Sequence, residues 1–147
     1  MAPSVAATHA KVPHHAKVAH HAKVAAATFA KVAPADEYFG RLKMSILGVR
    51  NQLKDLSAKI AFNPDRGGDQ LGAAGMVEDA IHDWEHKYPG DSWLPKSVYD
   101  LSQVYSSIHT PEGQTRATRT LHWLVDRYPR CAFAKAARTQ ISATLTK

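Results

Sequence analysis

The chain has 147 residues, 44% of them apolar, which gives room for one domain with a core of its own. A single cysteine, Cys131, excludes both an intrachain disulfide framework and a cysteine-rich zinc site. The formal charge of +6 is uneven, because residues 1–34 hold four lysines and no acid while residues 35–147 hold fifteen basic and thirteen acidic side chains. No apolar run approaches the roughly 18 residues of a membrane span.

Residues 9–24 repeat a hexad, "HAKVPH HAKVAH HAKV", with "FAKV" following at 29–32. Six residues turn a helix by about 240°, so Lys11, Lys17 and Lys23 would point three different ways and no amphipathic face results. The Ala, His and Lys composition offers little apolar surface to offset ordering, so residues 1–34 read as a disordered low-complexity arm. His9, His14, His15, His20 and His21 would add charge to the lysines as pH falls through about 6.5, which suits tethering to phosphates or acidic surfaces. Loose metal chelation by the histidine pairs and a plain spacer are the other readings of such composition. Aromatic side chains are not interleaved with the lysines, so specific nucleic-acid recognition is not expected. The opening "MAPSVAATHA" has a small-residue pattern without the basic and apolar regions that precede a cleavage site. If Met1 lies within a longer export signal, the periplasm or cell envelope is expected; otherwise the cytoplasm.

"ADEYFGRLKMSILGVRNQLKDLSAKI" carries Asp36 and Glu37 at its start and Lys59 near its end, charges that suit the helix dipole. Phe39, Leu42, Ile46, Val49, Leu53, Leu56 and Ile60 alternate steps of three and four, which predicts one long helix over 35–61 with a single apolar seam. Pro64, Gly67 and Gly68 should stop it. Self-pairing would set Lys43, Arg50 and Ser57 opposite Ser45, Gln52 and Lys59, with no complementary charge. Met44 and Leu47 widen the apolar surface, so packing within the chain is favoured over a homo-oligomer formed through this helix.

From residue 72 onward one unit occurs twice. Val77, Ile81, Trp84 and Tyr88-Pro89 align at an offset of 40 with Ala117, Leu121, Leu124 and Tyr128-Pro129. The spacing keeps each set on one helical face, and proline pushes the preceding tyrosine out of helical geometry. A second helix is predicted after each Tyr-Pro, in "SWLPKSVYDLSQVYSSI" and "AFAKAARTQISATL". Thr110 and Pro111 fit the cap and first residue of the intervening helix.

This helix, Tyr-Pro turn, helix, loop order resembles the tetratricopeptide repeat. "ATRTLHWLVDRYPRCAFAKAA" is similar to the longer repeats of bacterial envelope proteins such as outer-membrane assembly lipoproteins and the Tol-Pal system partner, with Ala132, Ala134 and Ala137 in the places of small residues. The resemblance covers roughly residues 72–146. It departs in a period longer than about 34 and in Pro95 and Lys96, which stand where alanine is usual. It implies two helix pairs of a right-handed α-solenoid fragment over 72–147, which together with the long helix before them makes the expected fold all-α. It also implies a non-catalytic scaffold for a protein or peptide, without a cofactor.

"HDWEHKYP" also contains H-x-x-E-H, the pattern of a zinc peptidase with His82 and His86 as ligands and Glu85 as base. With Val77, Ile81, Trp84 and Tyr88 buried, His82 and His86 fall roughly 140° and 180° from the stripe centre and should face water or a partner. A third ligand and a walled pocket are not visible in the sequence, so a zinc hydrolase is the lesser alternative. The same shift of 40 sets Asp79 beside Arg119, His82 beside His122, Asp83 beside Trp123 and His86 beside Asp126. These eight residues are the candidate partner-binding face, with Arg119 and Trp123 as its anchors. No catalytic residue or metal ligand is assigned. Cys131, behind the second Tyr-Pro, reads as a half-buried packing residue.

Overall fold

Ser45 decides where the first helix begins. Its Oγ accepts the Gly48 amide at 3.1 Å, the N-cap arrangement that serines favour, and α1 runs from Ile46 to Phe62. The computed structural model describes residues 31–147, which form one compact unit. The arm expectations for residues 1–30, with their five histidines, lie outside the described residues. After α1 come a 3-10 helix (Pro64–Gln70) and helices α2 (Leu71–Lys87), α3 (Leu94–Ser106), α4 (Pro111–Arg127) and α5 (Ala132–Leu145). The described residues contain no strand, only an isolated bridge between Phe39 and Met44, so the fold is all-α as the sequence indicated.

The expected single helix over 35–61 is corrected at its front end. Residues 39–44 form a tight turn instead, in which Phe39 and Met44 exchange backbone hydrogen bonds of 2.8 and 2.9 Å. Gly40 (φ 68°) and Lys43 (φ 52°) take left-handed conformations that no right-handed helix accommodates. The turn is held by burial: Phe39 is fully enclosed, stacked on Trp84 with centroids 5.8 Å apart and edge-on to Tyr88 at 6.1 Å. Leu42, counted in the seam by its spacing, is 59% exposed because the helix that would have buried it starts four residues later.

Residues 31–34, assigned to the arm, are also corrected in part. Ala33 is buried and its amide donates to Asp91 Oδ2 at 2.9 Å. As the chain runs from Ala33 to Arg41 its partners run back from Asp91 to Asp79. Glu37 accepts the Tyr88 hydroxyl, Asp83 the Gly40 amide and Asp79 the Arg41 amide. Residues 33–44 are therefore a strap laid along α2 and fastened by carboxylates.

The rest of the α1 seam is covered within the chain. Val49, Leu53, Leu56 and Ile60 are buried, and α1 packs against both α2 and α3. α3 lies at the centre and touches α1, α2, α4 and α5 through Leu94, Val98, Leu101, Val104 and Tyr105. Both Tyr-Pro dipeptides end helices as expected, with Tyr88 and Tyr128 in the C-cap positions of α2 and α4. Thr110 caps α4 by accepting the Gly113 amide at 3.1 Å, and Pro111 is its first residue. Cys131 caps α5: its Sγ accepts the Ala134 amide at 3.3 Å, while Ala134 and Ala137 are buried beneath.

A methyl group on Gly40 would stand 2.7 Å from the Ala80 Cα, on a backbone already at positive φ. Gly40→Ala should therefore cost about 2 kcal/mol or more, from backbone strain plus loosening of the strap. Urea unfolding followed by circular dichroism checks this; an unchanged midpoint would mean that the strap does not contribute to the fold.

Candidate functional site

The polar face of α2 carries Glu78, Asp79, His82, Asp83 and Glu85, and each side chain there is engaged by the strap or by α4. On one side the strap takes Asp79 and Asp83. The Gly40 amide beside Asp83 holds its carboxyl below the usual aspartate range. On the other side α4 supplies Arg119, Trp123, Arg127 and Tyr128.

The register between α2 and α4 differs from the expected shift of 40. Arg119 pairs with Glu78 at 2.9 Å rather than with Asp79, and Trp123 stacks on His82 with centroids 4.1 Å apart rather than meeting Asp83. His122 and His86 are exposed and have no charged partner among the described residues. The physical reason is that the strap already holds Asp79 and Asp83, which leaves Glu78 and His82 to meet Arg119 and Trp123 at an offset of 41, and Glu85 to meet Trp123, Arg127 and Tyr128 at offsets of 38, 42 and 43.

Glu78 is held from three sides. One oxygen accepts the Tyr105 hydroxyl at 2.5 Å and the other the Arg119 guanidinium, with the His82 imidazole 3.8 Å away. Burial pushes its carboxyl up, but the surrounding donors and the Arg119 charge outweigh that and lower it to about 2. Burial and the hydrogen bond to Glu78 in turn push the Tyr105 hydroxyl well above its ordinary range.

Glu85, the base position of H-x-x-E-H, is buried. It accepts from Tyr128 Oη at 2.7 Å, Trp123 Nε1 at 3.1 Å and Arg127 Nε at 3.3 Å. Burial and the bond to Glu85 push the Tyr128 hydroxyl strongly up, so it stays protonated and donating. His82 lies flat on Trp123 and His86 faces solvent. Among the described residues no three His, Cys, Asp or Glu side chains come together as metal ligands would.

Near the front of α2 and α4 lies an open groove of about 570 Å³. Its floor is Leu71, Gly72, Gly75 and Met76, and its rim is three ion pairs: Arg41 with Asp79, Arg119 with Glu78 and Arg116 with Glu112. Of the eight candidate residues, Asp79, His82 and Arg119 line this groove; Asp83, His86, His122, Trp123 and Asp126 do not. Asp126 lines a smaller depression of about 270 Å³ beside Glu85, Arg127 and Tyr128. Sequence reasoning missed Arg41, Arg116 and Glu78. The signal that could have found the groove is Gly72 and Gly75 on one face of α2, which put no side chain of their own there: Gly72 faces open space and Gly75 admits the Arg116 guanidinium.

Comparisons with protein-family models, curated proteins and solved structures give no match.

A carboxyl held below its ordinary value of 4.5 contributes stability that is present above that value and lost as pH falls through about 2. Glu78→Gln should therefore destabilise the fold by about 1–2 kcal/mol at neutral pH. The gap between the two proteins should close between pH 4.5 and about 2. Urea midpoints across that range measure it; a gap that does not depend on pH would contradict the ion pair.

Proposed function

We propose that this protein is a non-catalytic scaffold that holds a protein or peptide segment in the groove between α2 and α4. The observation that carries the reading is the groove floor. At Gly72 a Cβ would meet nothing within 4 Å, so a ligand can approach the helix backbone there while the paired arginines and carboxylates on the rim address its polar groups. The resemblance of residues 72–146 to tetratricopeptide repeats supports it, with α2–α3 and α4–α5 as the two pairs and the groove between their first helices. The burial of the α1 seam supports a scaffold over an assembly protein that oligomerises through that helix. The engagement of Glu85 by three donors supports it over a zinc hydrolase. The basic, His-rich arm would tether the body to an acidic surface, and an envelope location follows if the chain is exported.

Trp123 serves less well as a probe than its sequence position suggested, because it packs on His82 and bonds Glu85. Gly72→Tyr is the cleaner variant, since it fills the groove and removes no contact. Peptides selected on the intact protein from a display library should bind the variant at least about tenfold more weakly, while its melting temperature changes little. Selected peptides that bind both proteins equally would place the binding surface elsewhere.

A further inference from the structure

A second concavity, of about 410 Å³, lies between α1 and α3. It differs from the α2–α4 groove in its charge balance. There every rim arginine has its own carboxylate; here Arg50, Lys54 and Lys96 face only Asp100, which Lys96 takes at 2.6 Å. Arg50 and Lys54 have no carboxylate within ion-pair distance among the described residues. Arg50 instead lies 4.6 Å over the ring of Trp93, an indole left 42% exposed, and Leu47 beside it on α1 is 61% exposed. Two unmatched cations next to two exposed apolar side chains make a surface whose complement carries carboxylates and an apolar side chain together.

We propose that this cleft docks an acidic segment of another protein, one bearing leucine or an aromatic residue among its carboxylates. Arg50 would take a carboxylate by two parallel hydrogen bonds, Lys54 a second, and Leu47 with the Trp93 indole would cover the apolar side chain. The chain itself supplies no such segment. Its longest acidic runs are Asp36-Glu37 and Glu78-Asp79, and Glu37, Glu78 and Asp79 are already bonded to Tyr88, Arg119 and Arg41.

The arm cannot be the occupant, since residues 1–32 hold four lysines and no acid. Its four lysines instead add to the net charge of +6 that would steer an acidic partner. A flat lipid surface does not reach into a cleft walled by Asn51, Ser57 and Gln103. A nucleic acid strand needs successive stacking platforms, whereas Trp93 offers a single exposed indole beside this cleft.

The test is fluorescence polarisation with the full chain and a fluorescein-labelled peptide of Glu-Leu-Asp-Glu repeats. A Gln-Leu-Asn-Gln version, phosphatidylglycerol vesicles and a single-stranded oligothymidine serve as competing probes. The acidic peptide should bind better than its neutral version, and Arg50→Glu combined with Lys54→Glu should weaken it at least about tenfold. Gly72→Tyr should leave it unchanged, which separates this cleft from the α2–α4 groove. Equal binding of the acidic and neutral peptides would overturn the proposal. So would full binding by the doubly substituted chain, which would assign the contact to the arm. Vesicles or oligothymidine that bind the chain through Arg50 and Lys54 where the acidic peptide does not would overturn it as well.

Discussion

The buried carboxylate of Glu85 is the constraint on which the C-terminal half of the molecule depends. A charge of that kind is tolerated in a protein interior only when donors surround it, and here the tyrosine that ends α4, the Trp123 indole and the Arg127 guanidinium all converge on it. Removing one donor leaves a buried acceptor short of a partner, which costs more than the bond itself contributes. Because all three donors belong to α4 or its C-cap, Glu85 ties α2 to the second helix pair, beside the more extensive packing of α3 on α4. The same logic recurs along α2, where Glu78 gathers Tyr105 and Arg119 and where Asp79 and Asp83, with Asp91 in the turn after it, fasten the strap.

This arrangement gives the H-x-x-E-H stretch a physical meaning of its own. His82 is a flat lid on Trp123, Glu85 is an anchor between helices, and His86 is an exposed side chain on the outer turn. The spacing that would suit two metal ligands and a base also suits a helix with one buried acid between two surface imidazoles. Periodicity alone does not distinguish the two. What distinguishes them is which donors the other helix brings.

The sequence carried the helices wherever one local rule sufficed. The two Tyr-Pro dipeptides, the Thr110–Pro111 start and the α1 seam from Val49 to Ile60 all stand where spacing and proline chemistry placed them. It misled where a tertiary contact outweighed the pattern. Phe39 continues the α1 periodicity, yet its ring gains more from the Trp84–Tyr88 pocket than from one more helical turn, and Gly40 permits the backbone reversal that takes it there. The candidate face was half legible for a similar reason. An offset of 40 aligns the two copies as sequences, but the strap takes Asp79 and Asp83, which leaves Glu78 to Arg119 and His82 to Trp123.

The interlock of Glu85 with α4 is tested most directly by a double-mutant cycle with Glu85→Gln and Tyr128→Phe, read by urea unfolding. If the carboxylate anchors the second pair through the tyrosine hydroxyl, the two substitutions should couple by about 1–2 kcal/mol, each single change costing most of what the double change costs. Additive effects, equal within about 0.5 kcal/mol, would show that the two side chains do not depend on one another and would contradict the anchor.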